Sequence, residues 1–188
     1  MISKIKRTTI NAGNKMIPNK KIARLAGFIW LMMVILGLFA QFFVRDTIFV
    51  ADDISATMNN IMANESLFRL GFVSDQLMNL CLLFTSLVLY KLLSSINKNM
   101  AALMVILAIS GSVINMINLL NLIAPLHLLS SEYYLGVIGV SQVQSQVMLY
   151  IDLYEQGYVI AQIFFMSWVL PLGILVYKSG FLPKVFGV

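Results

Sequence analysis

Apolar residues fall into four long stretches, at about residues 24–44, 67–90, 100–124 and 157–177, separated by shorter polar segments. Each stretch has the roughly 20 residues that a helix rising about 1.5 Å per residue needs to cross the hydrocarbon of a bilayer. The first follows a basic segment, as the core of a signal peptide would, but secretory cores run only about 7–15 residues. Leu38 and Ala40 also make a poor cleavage site, because the first of the pair should be small. The stretch is therefore expected to be a permanent helix, with Trp30 packed within it. The third stretch should stop at Pro125, which cannot continue the backbone ladder. Pro171 in the fourth removes the bond to the Ser167 carbonyl and predicts a kink.

Two of the intervening segments carry a helical period of their own. Ile54, Met58, Ile61 and Met62 recur at i, i+4, i+7 and i+8, which predicts a short amphipathic helix over Ile54–Ala63, capped by Asp53 and with an Asn-rich face toward water. Val140, Val143, Val147, Met148, Ile151 and Tyr154 predict a second over residues 140–156, with Ser141 where its cap belongs. The expected fold is all-α: a polytopic transmembrane helical bundle of four spans with two outer interfacial amphipathic helices covering its mouth. Residues 1–23 form a basic tail, and residues 24–188 form a single transmembrane domain.

Composition agrees, since 60% hydrophobic and 11% charged residues with a mean hydropathy of +0.87 leave a soluble domain little to face water. The charges give an orientation. Lys4, Lys6, Arg7, Lys15, Lys20, Lys21, Arg24, Lys91, Lys98, Lys178 and Lys184 lie on one side of the four stretches, and only Arg45 and Arg69 lie elsewhere. Asp46, Asp52, Asp53, Glu65, Glu132, Asp152 and Glu155 lie on the other side, and Asp75 alone falls within a stretch. Because positively charged loops stay in the cytoplasm, both termini are expected inside. The net charge of +5 sits in short juxtamembrane segments without stacking motifs, which points to anionic lipid headgroups and away from nucleic acid. A single cysteine, Cys81, excludes an intramolecular disulfide and any multi-cysteine metal site.

Three motifs carry a family resemblance: Ala23-Arg24-Leu25-Ala26-Gly27 opening the first stretch, Phe68-Arg69-Leu70-Gly71-Phe72 with Asp75 opening the second, and Lys178-Ser179-Gly180-Phe181-Leu182-Pro183-Lys184 after the fourth. From about Lys21 onward the chain resembles the bacterial domain-of-unknown-function family 4386 (DUF4386). The resemblance implies a multi-pass protein of the bacterial cell membrane and no particular reaction. It also implies further hydrophobic helices beyond the Phe-Leu-Pro-Lys turn, whereas this sequence stops at Val188.

Polar residues inside the apolar stretches are the candidate functional groups, since burying them in lipid is costly. Asp75, Gln76 and Asn79 lie in the outer half of the second stretch, Asn115, Asn118 and Asn121 in the outer half of the third, and Gln41 and Gln162 near the outer ends of the first and fourth. Asp75 and Asn79 share a helix face, and the three asparagines cover roughly a 120° arc. Asp75, Asn79, Asn115, Asn118, Asn121 and Gln162 are thus expected to outline an outward-opening polar cavity. The plainer reading of the stripe is interhelical hydrogen bonding. Asp75, about six residues or roughly 9 Å inside the helix end, needs a partner or a proton. Arg69 is on a different side of the helix, with a side chain long enough to bend toward headgroups.

Enzymatic chemistry finds little support. His127 is the one histidine, so no multi-histidine zinc site can form, and no catalytic residue or cofactor is assigned. Asp75 and His127 with Ser130 or Ser131 would make an acyl-transfer trio, but there is no G-x-S-x-G elbow. Asp152 and Glu155 read as a solvated helix entrance more readily than as paired catalytic carboxylates. A phosphate-cradling Gly-rich loop is missing. Two classes remain: an outward-facing binding module for a lipid or small amphiphile, and a non-catalytic interaction or scaffold subunit partnered by a second copy or another membrane protein. A membrane-embedded hydrolase ranks below both. An alternating-access transporter is disfavoured because four spans show no internal repeat.

Overall fold

The computed structural model describes residues 20–180; the basic tail through residue 19 and residues 181–188, with Lys184, lie outside it. Every regular element among the described residues is a helix. Four helical runs are long and apolar enough to cross a membrane: Lys20–Ile48, Glu65–Leu93, Lys98–Leu129 and Val140–Ser179. Six basic residues (Lys20, Lys21, Arg24, Lys91, Lys98 and Lys178) cluster by topology at one end of the bundle, called the basic end. The connections rich in carboxylates make the other, acidic end.

The first span is longer than its apolar pattern suggests. Helix α1 (Lys20–Leu38) widens into a π-helical segment, Phe39–Arg45, and closes with the single turn α2 (Asp46–Ile48). Arg45, expected in the outer loop, is therefore the last residue of the π segment. Trp30 is 50% exposed, not packed within the bundle, and points where lipid would be.

Helix α3 (Ile54–Ala63) matches its expected bounds, and Asp53 caps it by accepting from the Ala56 N–H at 2.8 Å. Ile61 is fully buried beneath it, while Met62 turns outward. Only Asn64 separates α3 from the second span, α4 (Glu65–Leu93). After the turn at residues 94–97, Asn97 caps α5 (Lys98–Leu129) by accepting from the Met100 N–H at 3.0 Å.

Two expectations of the third and fourth spans are corrected. Pro125 does not end α5, which runs on to Leu129 with Pro125 buried inside it. A proline removes one backbone bond, and packing against α3, α6 (Glu132–Ile138) and α7 (Val140–Ser167) holds this last turn in place. The predicted interfacial helix over residues 140–156 is not separate from the fourth span: α7 runs unbroken through Gly157, a substitution for alanine that costs a helix only about 1 kcal/mol. Ser141 lies within α7, whose cap residue is Gly139 at φ 87°. The helix breaks at Trp168, three residues before Pro171 and beside the Ser167 carbonyl that the proline leaves unbonded, then resumes as α8 (Val169–Ser179).

The spans pack in chain order, first on second, second on third, third on fourth. Two apolar clusters form the interior. One, at the acidic end, joins Val44, Ile48, Ile61, Phe68, Leu119, Leu122, Leu126, Val143 and Val147; the other, toward the basic end, joins Leu82, Leu93, Ala101, Met104, Ala108, Trp168 and Leu175. Between them lies a layer of buried polar groups that includes Ser74, Asp75, Asn79, Ser112, Asn115 and Asn118.

Two glycines set the spacing of this layer. A Cβ on Gly71 would lie 2.6 Å from Val44 Cγ1, so glycine there lets the π segment close on α4. A Cβ on Gly157 would collide with the Asn118 amide, so glycine there lets α7 reach α5. Gly71→Ala should therefore lower stability by about 1–3 kcal/mol despite alanine's better helix propensity. Gly27→Ala, where a Cβ meets nothing within 4 Å, should not lower it. Thermal unfolding of both variants in detergent is the measurement.

Candidate functional site

The site grows from one carboxylate. Asp75 is 2% exposed on α4, where an unpaired charge is costly. Arg45 Nη1 meets its Oδ2 at 2.6 Å, making an ion pair between the first and second spans. The π segment explains how a residue so near the end of the first span reaches it. Bonds of the i→i+5 type fit more residues into a turn, which rotates those that follow about the axis and brings Arg45 over α4. Arg69 takes no part: it pairs with Glu65 at 2.7 Å on the exposed face of α4.

Further bonds hold the arginine. Its Nε donates to Gln41 Oε1 at 2.9 Å, and Nη1 also reaches the Tyr154 hydroxyl on α7 at 3.4 Å. Gln41 Nε2 in turn donates to Asp46 at 2.8 Å. Arg45 thus touches groups on the first, second and fourth spans.

The asparagines complete a circuit. Asn79 Nδ2 donates to the Asp75 carbonyl at 2.8 Å, and its Oδ1 accepts from Asn115 Nδ2 at 3.3 Å, joining the second span to the third. Asn118 Nδ2 donates to the Tyr154 carbonyl at 2.8 Å, joining the third to the fourth, and Asn121 donates to Asn118 Oδ1 at 3.1 Å. All four spans are therefore linked at one level, through Arg45–Asp75, Asn79–Asn115, Asn118–Tyr154 and Tyr154–Arg45. Ser74 adds a bond to the Leu36 carbonyl at 3.0 Å.

Of the six residues singled out in the sequence, five sit in this belt, and Gln162, half-buried on α7, forms no hydrogen bond with them. Asp75, which needed a partner or a proton, finds its partner on the first span and not in the asparagine stripe. Asn79 meets the stripe, whereas the carboxylate is taken by Arg45. The supposed polar cavity between the second and third spans is filled by the Asn79–Asn115 contact. Asp75 is committed to Arg45, and no hydrogen bond links it to His127, which is exposed on α5.

The open space lies elsewhere. A groove of about 370 Å³ separates the first and fourth spans over a floor of α4, lined by Met33, Val34, Gly37, Leu38, Met78, Asn79, Leu82, Tyr158, Phe165 and Trp168. Trp168 also lines a pocket of about 220 Å³ nearer the basic end, with Ala26, Gly27, Trp30 and Thr85. The Thr85 hydroxyl is buried there without a hydrogen-bond partner among the described residues. Above the belt, a cleft of about 230 Å³ is lined by Gln41, Arg45, Asp46, Phe49, Ile151, Tyr154 and Glu155. The sequence did not reveal the groove, because its walls are ordinary apolar residues.

No cluster of three or more His, Cys, Asp or Glu side chains suited to a metal ion occurs among the described residues. Cys81 is half-buried and free.

Removing one member of a buried pair strands the other, so Arg45→Leu and Asp75→Leu should each destabilise by about 3–5 kcal/mol. The double variant should lose markedly less than the sum of the two, because the stranded charge is gone. Unfolding of the four-member cycle in detergent checks this, and additive losses would contradict the pairing. Asp75→Asn is likewise expected to destabilise, since the amide leaves Arg45 without its counter-charge.

Neither the curated proteins nor the solved structures contain a match to this chain. A family model does match, over residues 25–188, and its span takes in the Arg45–Asp75 pair, Gly71 and Gly157. On that match across nearly the whole sequence, the chain belongs to the family described as a domain of unknown function, DUF4386.

Proposed function

We propose that this membrane protein is a binding module that takes an alkyl chain of a lipid or small amphiphile into the groove between its first and fourth spans. The groove itself carries the reading: about 370 Å³ of space within the roughly 300–1,000 Å³ usual for small-molecule sites, with almost wholly apolar walls. On α7 the wall runs from Tyr158 to Phe165 and on to Trp168, about 15 Å of rise or half the hydrocarbon thickness. Exposed Leu38 and Tyr158 form its rim, so a chain enters sideways from the bilayer. Of the residues singled out in the sequence, Asn79 lines the groove and would meet the bound chain. Asn115, Asn118 and Asn121 act through the belt.

A non-catalytic scaffold is the second reading, favoured by the packed seam between the second and third spans, where side chains bond directly across the interface. In either case the basic end is assigned to the cytoplasm of a bacterial cell, where its lysines and arginines would meet anionic headgroups.

The chain has two tryptophans, Trp30 and Trp168, which makes the test direct. A Trp30→Phe variant in bilayers with brominated acyl chains reports Trp168 alone, and its emission should be quenched because bromine acts at contact. Val34→Phe, which fills the groove, should restore emission. Unquenched Trp168 in the first variant would overturn the reading.

Orientation has its own test. In a Cys81→Ser background, Ser55→Cys should label from outside the cell, and Ser95→Cys, in the turn after α4, should not. The reverse pattern would invert the assignment.

A further inference from the structure

We infer that the amphiphile taken by the groove carries a cationic head, a quaternary ammonium or an amine, held at the acidic end beside the stacked rings of Tyr154 and Tyr158. This rests on the proposed groove and adds the chemistry of the head.

The charge distribution supplies the argument. All eight acidic residues of the chain fall between positions 46 and 155. Lys91 and Lys98, in the same interval, sit at the basic end, which leaves Arg45 and Arg69 as the basic residues near the acidic end among the described residues. Both arginines are already paired, Arg45 with Asp75 and Arg69 with Glu65. The cleft above the groove keeps Asp46 and Glu155, both exposed, and Asp46 receives only the neutral amide of Gln41. Glu155 also lines a larger cleft of about 630 Å³ with Asp52, Asp53 and Asp152. An anionic head would be repelled from this mouth, and a neutral one would gain little. Arg45 lines the same cleft but is neutralised by Asp75, so the charges left without an ionic partner there are the carboxylates of Asp46 and Glu155, and these attract a cation.

The aromatic pair gives a second, independent reason. Tyr154 and Tyr158 stack with ring centroids 6.4 Å apart and planes 27° from parallel. Tyr154 lines the upper cleft and Tyr158 lines the groove, so the pair marks the junction where the head of an amphiphile gives way to its tail. Aromatic faces attract cations, and quaternary ammonium groups are recognised this way. The lower wall is compatible with a plain tail: among its lining residues only Asn79 and Tyr158 bear polar side-chain groups apart from the indole of Trp168.

The test uses three probes that share one terminally brominated dodecyl chain and differ in the head: trimethylammonium, sulfate or hydroxyl. Each is titrated into the full chain bearing Trp30→Phe in dodecyl maltoside micelles, with quenching of Trp168 as the readout. The Trp168→Phe chain, reporting lipid-facing Trp30, corrects for partition into the micelle. The trimethylammonium probe should half-saturate at a concentration about tenfold lower than the other two. Asp46→Asn with Glu155→Gln should erase most of that preference while leaving the melting temperature unchanged, because both side chains are exposed. Equal half-saturation for the three heads would overturn the cationic assignment and leave the groove standing. Failure of all three to quench Trp168 would overturn the groove and the head assignment together.

Discussion

The arrangement of the four spans depends on the ion pair between Arg45 and Asp75. A carboxylate 2% exposed among apolar helices needs its counter-charge within contact distance, and that need fixes the first span against the second at 2.6 Å. Because the same Nη1 also lies 3.4 Å from the Tyr154 hydroxyl, the requirement extends to the fourth span. The Asn79–Asn115 and Asn118–Tyr154 bonds then carry it around the third. Gly71 and Gly157 serve the circuit by allowing close approach where a methyl group would hold the helices apart.

The pair also accounts for the sequence that opens the second span. In Phe68-Arg69-Leu70-Gly71-Phe72 with Asp75, Phe68 is buried edge-on against Phe49, Gly71 receives Val44, and Asp75 receives Arg45. These residues all dock the end of the first span onto the second. Arg69 faces away and pairs with Glu65, a surface bond of the kind that contributes little to stability.

The number of spans, α3 with its Asp53 cap and the polar depth shared by the asparagines were all legible in the sequence, because each rests on local periodicity or capping chemistry. What escaped depended on contacts distant in the chain or on backbone irregularity. Arg45 read as a loop residue because α-helical spacing cannot anticipate a π turn. Pro125 read as a helix end because local rules weigh the lost bond and cannot weigh the packing around it. Residues 140–156 read as a separate interfacial helix because their polar face resembles one, yet the helix continues through Gly157, where Asn118 holds it against α5. The groove escaped for another reason: it exists where side chains fail to meet, and spacing along a sequence describes only where they point.

That failure to meet follows from the solvent. In water an apolar seam between two helices closes because burial of its walls is favourable, but in lipid the surroundings are as apolar as the walls, and only packing and polar contacts draw helices together. At the level of Arg45 the first and fourth spans share such a contact through Tyr154. Below it, Met33, Val34 and Leu38 on one side and Phe165 and Trp168 on the other offer none. The ion pair that joins the spans at one end therefore leaves them parted along the rest, with Asn79 belonging both to the belt and to the wall of the opening beneath it. A ligand in the groove would consequently touch the circuit through Asn79, next to the carboxylate on which the packing of the first span depends.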